Sequence, residues 1–328
     1  MKAVYIKEFG GPEKLELREI PNPPKLQNNQ VLLRVKAAGV NRADLLQVRG
    51  NYAPPSGYSP NIPGLEFAGE IVETGQNAST YFVGDRVFGI TAGEAQAEFL
   101  VIDQSLLARI PDNLTFAEAA AVPEVFVTAH DALFTQGGLS KGESVLIHAV
   151  GSGVGLAGLQ LTKAMGSQVF GTSRTQDKLD RCGGFGLDVP IVVGKNPQFA
   201  EIVKENSAGN GVDVILDLVG GSYFDENLAS LALKGRLMLV GLTGGRSAQF
   251  DLGIALHKRL TIRGTVLRGR STEEKAEVMS AFEKDVVPLL ATGVVRPNLD
   301  KVFPAADVIE AYKYLASNES FGKVVLEF

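Results

Sequence analysis

The rhythm of apolar and polar positions changes once along this chain of 328 residues, near Pro123. Before that point, short runs rich in Val, Ile, Leu and Phe are broken by turn residues. Residues 4–6, 15–20, 31–38, 68–74, 86–90 and 97–101 read as strands, punctuated by Gly10-Gly11, a proline-rich stretch at 21–24, and Gly84-Asp85. No long amphipathic helix interrupts them, so a compact β-rich unit is predicted. Beyond Pro123 helical and strand patterns alternate. Residues 125–136 read as a helix carrying Thr128 and His130 among apolar positions, 144–150 as a strand, and a helix follows that closes at Gly166. Strands at 169–173, 191–193, 212–218 and 236–241 then interleave with helices at 176–182, 197–206 and 223–232. A further strand at 260–266, a long helix at 272–290, strands at 302–304 and 324–326, and an amphipathic helix at 307–316 complete the chain.

Regular alternation of this kind predicts a parallel sheet with right-handed crossovers, the doubly wound Rossmann architecture. The pivot is the turn Gly151-Ser152-Gly153-Val154-Gly155, between the strand at 144–150 and its helix. Glycines at such a junction permit a tight turn, close approach of backbone to a ligand, and close packing of helix on strand. The helix N-terminus adds N–H groups and partial positive charge, which suit a pyrophosphate. Residues 144–162 carry no Asp, Glu, Lys or Arg, so a window scan alone would propose a membrane span; the glycine punctuation favours a buried strand, turn and helix. The fingerprint is relaxed: three-residue spacing back from Gly155 falls on Ser152 and Ala149, with Gly151 and Gly153 one step away.

Cofactor choice follows from the end of the next strand. About 20 residues past the turn, an NAD enzyme places a carboxylate for the ribose 2′-hydroxyl. This chain has Thr172-Ser173-Arg174 and then Lys178. Ser173 can hydrogen-bond a 2′-phosphate, while Arg174 and Lys178 can neutralise it, so NADPH is expected over NADH. Asp177 falls in the first turn of a helix, where an acid is ordinary. The loops after the next two strands, with Val219, Gly241 and Leu242, are expected to line the adenosine and nicotinamide, because ligands bind at the carboxyl ends of such strands.

Composition bounds the rest. Hydrophobic residues make up 45% and charged residues 21%, which allows a sizeable core in two domains. A net charge of −5 argues against a general nucleic-acid or membrane-surface binder. The single cysteine, Cys182, rules out an intramolecular disulfide and any multi-cysteine metal site. The first strand follows Met1 with no signal-like segment, so a soluble cytoplasmic protein is expected.

Two segments of the first third are unlike ordinary strand filler. One is Gly39-Val40-Asn41-Arg42-Ala43-Asp44-Leu45-Leu46-Gln47 followed by Arg49-Gly50-Asn51-Tyr52; the other is Pro63-Gly64-Leu65-Glu66-Phe67-Ala68-Gly69. Together with the glycine turn they resemble the medium-chain dehydrogenase/reductase superfamily, and within it the zinc-free, zeta-crystallin-like quinone oxidoreductases. In the zinc alcohol dehydrogenases of that superfamily a cysteine stands at the place of Asn41 and a histidine at that of Leu65, both metal ligands. Asparagine is a poor zinc ligand and leucine is none, so zinc is not expected. His130, His148 and His257 are read as packing or surface residues.

The resemblance implies a GroES-like catalytic domain over 1–122 and 294–328, and a Rossmann NADP-binding domain over 123–293. Without a metal, hydrogen-bond donors must polarise the acceptor: Asn41 and Tyr52, with Tyr58 flanking the substrate mouth. Asp44 shapes the cofactor pocket, and Thr128 joins the cofactor residues. Glu66 is expected to be structural support. Relatives carry a tyrosine near the end of the third Rossmann strand, where this chain has Val192-Val193. The backbone at Leu267-Arg268 borders the nicotinamide in relatives, and the neighbouring sheet edge pairs across a homodimer. Gly322-Lys323 matches a closing glycine-lysine whose lysine reaches back to cofactor phosphate or ribose. The implied activity is NADPH-dependent reduction of a quinone, with an enone or enal double bond as the alternative acceptor. A non-enzymatic crystallin-like or RNA-binding role is the alternative of another class.

Overall fold

A computed structural model describes residues 1–194 and 196–328 and divides them into two compact units: Met1–Val127 with Leu267–Phe328, and Thr128–Val266.

In the first unit the long strand Gln30–Val40 is the axis. It pairs antiparallel with Glu66–Thr74, and also with Phe99–Asp103 at its start and Lys323–Glu327 at its end. The seven-stranded sheet is extended by Leu299–Pro304 beyond Lys323–Glu327, and by Arg86–Ile90 and Leu107–Arg109 beyond Glu66–Thr74. Alternation along Gln30–Val40 explains one core: Val31, Leu33 and Val35 pack with Phe67, Ile71 and Val87. Expected strands are recovered to within two or three residues at each end. Short helices at Arg42–Val48 and Phe116–Ala120, too brief to leave a periodic signature, were not anticipated.

The helix expected at 272–290 is two helices, Thr272–Asp285 and Val287–Ala291, the second opening with Pro288, whose ring cannot continue the ladder of the first. It also belongs to the first unit, where Phe282 stacks edge-on against Phe88 at 5.8 Å. The sequence pattern had grouped it with the nucleotide half, because amphipathic period says which face is buried but not against what.

The second unit is a six-stranded parallel sheet in the order Val189–Val192, Val169–Ser173, Val145–Ile147, Val212–Asp217, Leu231–Leu239, Thr261–Gly264. Numbered along the chain this is 3-2-1-4-5-6, the doubly wound order, whose reversal lies beside the first strand. The three residues of that strand are wholly buried, as expected for a strand covered on both faces. His148 follows it and is a packing residue: Nδ1 lies 2.9 Å from Thr172 Oγ1 and Nε2 2.5 Å from Asn227 Oδ1, while Asn227 Nδ2 donates to Asp217. Burial holds its imidazole below the ordinary range. The helix Leu252–Lys258 was not anticipated.

Candidate functional site

In the first unit a polar cluster forms where Gln30–Val40 ends. Asn41 begins the helix Arg42–Val48, and its N–H donates to Asp44 Oδ2 at 2.8 Å, one arm of a capping box. The other Asp44 oxygen accepts from Gly64 N at 3.1 Å, tying the Asn41 turn to the turn before Glu66. Glu66, 0% exposed, is the hub. Its Oε1 accepts from Asn41 Nδ2 at 2.8 Å and from Lys323 Nζ at 2.5 Å; its Oε2 accepts from Glu124 N at 2.8 Å. Lys323, 4% exposed, also donates to Asn41 Oδ1 at 2.6 Å and to Val40 O. Gly39 is required here: a Cβ would lie 2.1 Å from Glu66 Oε1.

Electrostatics at the cluster are unusual. Burial pushes the Asp44 carboxyl up to about 6, against the pull of its two backbone hydrogen bonds. Burial, reinforced by the Glu66 charge, pushes Glu124 up to about 8. On the same unit Arg268 lies over the Tyr52 ring at 4.7 Å. Its guanidinium donates to Ala92 O and Tyr52 O, each at 2.8 Å, and to Gln47 Oε1. Burial raises the Tyr52 phenol, with Arg268 lowering it in opposition, so the hydroxyl stays a donor at neutral pH.

In the second unit Ser152 caps the helix Gly153–Ala164, its Oγ accepting from Gly155 N at 3.2 Å. A Cβ at Gly155 would lie 2.6 Å from Ala149 O, so the last fingerprint position admits only glycine. Ala149 takes the left-handed conformation, φ 48°, that a glycine supplies in the strict motif. At the end of the next strand Ser173 is buried and Arg174 exposed. After the fourth and fifth strands, Gly244 N donates to Val219 O, and a Cβ at Gly241 would lie 2.7 Å from Leu218 O. A backbone-lined turn at a helix N-terminus, with a hydroxyl and two cations one strand away, fits a dinucleotide carrying a 2′-phosphate.

The family models for the alcohol dehydrogenase GroES-like domain and for zinc-binding dehydrogenase match residues 27–132 and 153–284. Quinone oxidoreductase of Lama guanicoe is 30% identical over 335 residues, covering 99% of this chain and 97% of that protein. The chain belongs to the quinone oxidoreductase family of medium-chain dehydrogenases/reductases. Among solved structures, Escherichia coli quinone oxidoreductase complexed with NADPH superimposes with a TM-score of 0.89 at 27% identity, all of both chains being covered. JamJ enoyl reductase in its apo form gives 0.87 at 26%, covering 99% and 98%.

Donor chemistry at the two positions that bind zinc in the alcohol dehydrogenases does not suit the metal. The matched domain description names zinc, yet Leu65 is a core residue, 2% exposed, and Asn41 already has an ammonium on its Oδ1, where a second cation would meet it head-on. Among the described residues no group of three His, Cys, Asp or Glu side chains is arranged around a common point.

Several residues expected at the cofactor make side-chain contacts inside the first unit. Lys323 turns inward; desolvation at 4% exposure demands a counter-charge, and Glu66 supplies it. The Arg268 side chain clasps the Tyr52 loop, leaving only the backbone at Leu267-Arg268 for the role the family implies. Asp44 is wholly buried and ties the Asn41 turn to Gly64. Gly322 is dictated by packing, φ 98° with Asn298 2.3 Å from where a Cβ would stand. Tyr58 rests on Gly93, in the loop whose Ser59 N–H donates to Glu94; among the described residues no hydrogen bond joins it to Asn41. Thr128 is half-buried on the helix Pro123–His130, and Lys178 half-buried on Gln176–Gly183.

Two residues were missed. Glu124 sits among apolar neighbours in the sequence, and only its backbone bond to Glu66 places it. Tyr223, on the turn Gly221–Tyr223, packs on His148 at 4.9 Å; burial raises its phenol and Arg174 is near enough to lower it.

Proposed function

We propose that this chain is an NADPH-dependent quinone reductase that works without a metal ion. Ser152, Gly153, Val154 and Gly155 would hold the pyrophosphate, Ser173, Arg174 and Lys178 the 2′-phosphate, and Val219, Gly241 and Leu242 the adenosine and nicotinamide. The nicotinamide, when bound, supplies the hydride; the protein supplies orientation and hydrogen bonds to the acceptor oxygen that gains charge.

The observation that carries the reading is the contact of Lys323 with Asn41 Oδ1. One Nδ2 proton of Asn41 goes to Glu66 and the other is left for a ligand. An ammonium pulling on Oδ1 polarises the amide and makes that remaining N–H a stronger donor. Asn41 and the Tyr52 phenol would thus do for a quinone oxygen what a Lewis acid does elsewhere. Steady-state oxidation of NADPH and of NADH, measured with a panel of quinones, enones and enals, tests this. Faster turnover of quinones with NADPH is expected; the likeness to an enoyl reductase favours the enone reading as second, and faster turnover of enones would replace the first.

A homodimer is the proposed assembly. Thr261–Gly264 ends the sheet, paired on one side only and exposed at all four positions, beside Leu252 and Leu256, each 72% exposed. An open strand edge next to bare leucines invites a second copy. Light scattering should give twice the chain mass, and Leu256→Glu with Ile262→Lys should give the monomer. No described helix is long and apolar enough to cross a membrane, and Cys182 is a buried free thiol, which suits the cytoplasm.

A further inference from the structure

We propose that Glu124 is the proton donor of the reduction, its carboxylic acid protonating the acceptor as the hydride arrives. The role rests on the quinone-reductase reading and adds to it the group that completes the chemistry. Hydride addition carries two electrons and one hydrogen to the quinone, and a hydroquinone needs one proton more. In the proposed step the O–H bond of Glu124 breaks, an O–H bond forms on the reduced acceptor, and the carboxylate left behind regains its proton from water.

Geometry singles out this residue. Glu124 opens the helix Pro123–His130, and its N–H bond to Glu66 Oε2 fixes it at the rim of the cluster that holds Asn41. Asp44 and Glu66 are sealed at 0% exposure, whereas Glu124 keeps part of its surface open. Its charge is also felt at the Tyr52 phenol, the second donor expected to hold the acceptor oxygen.

The neighbours keep the acid neutral. Facing it are the carboxyls of Asp44 and Glu66, the cations Lys323, Arg268 and Lys275, and the Tyr52 phenol. Each cation is committed elsewhere: Lys323 to Glu66 and Asn41, Arg268 to Gln47, Tyr52 O and Ala92 O, Lys275 to Arg270 O. Among the described residues none of them donates a hydrogen bond to the Glu124 carboxyl. Burial and the Glu66 charge therefore win, and a value of about 8 leaves the acid protonated at pH 7 yet close enough to neutrality to give its proton up.

The test compares wild type with Glu124→Gln, which keeps shape and hydrogen bonding but holds no transferable proton. With the dinucleotide bound equally by both, kcat for quinones at pH 7 should fall about 10²-fold in the variant. The wild-type decline of kcat above pH 8 should vanish, and the loss should shrink for acceptors whose hydroquinone anions are weakly basic. Glu124→Asp should recover part of the rate. In the unloaded protein, carboxyl carbon NMR should show one glutamate titrating near pH 8 that Glu124→Gln removes. Stability gives a separate check: the folded state keeps a proton that the unfolded chain loses near pH 4.3, so this group's contribution to stability falls as pH rises from there to 8. Melting of Glu124→Gln should therefore gain on wild type as pH increases through that window. Rates within twofold of wild type and an unchanged pH profile would overturn the role while leaving the quinone reading intact. Wild type that reduces no quinone would sink both, with the NMR titration still reporting the acid itself.

Discussion

Lys323→Met destabilises the protein by about 3–5 kcal/mol, because it strands the Glu66 carboxylate in the interior with two N–H donors and no cation. Both partners are nearly sealed from water, so neither solvent nor salt can take the place of the lost charge. Equilibrium unfolding in urea at pH 7 measures the effect. Glu66→Gln combined with Lys323→Met removes both charges and should recover at least half of the loss, since the buried-charge penalty disappears while the amide can still accept from Asn41 or Glu124. A loss below about 1 kcal/mol in the single variant would mean an exposed-pair energy, at odds with a dry Glu66–Lys323 contact.

The second large effect is on the nucleotide. Arg174→Ala should raise the Kd of NADPH about 10- to 100-fold and leave that of NADH within twofold. A charge-assisted hydrogen bond to phosphate is worth about 1.5–3 kcal/mol, and about 1.4 kcal/mol is tenfold in affinity. NADH has no 2′-phosphate for Arg174 to meet. Titration of the nicotinamide fluorescence with both dinucleotides decides it. Equal weakening of the two would assign Arg174 a structural role and shift attention to Lys178 and Tyr223 as the neighbours of the 2′-position.

These two predictions come from different depths of the molecule. The expectation for Arg174 rests on local signals: it stands at the end of a strand in an alternating pattern, a fixed distance after a glycine turn, and both signals lie within about 25 residues. The same locality made the parallel sheet and the glycine turn at 151–155 readable in order. The inward contacts of Lys323 were not legible, for the opposite reason. Its partners Glu66 and Asn41 lie 257 and 282 positions away, and nothing in the string marks which of several lysines turns inward.

The sequence by itself determined most of the secondary elements, the parallel doubly wound architecture and the glycine turn after its first strand, since periodicity and glycine punctuation act over short stretches of chain. Tertiary structure alone decided that Lys323 neutralises Glu66, that Arg268 clasps the Tyr52 loop, and that Glu124 is held neutral. Each of those outcomes depends on desolvation and on pairing across distant segments, which exist only once the chain has closed on itself.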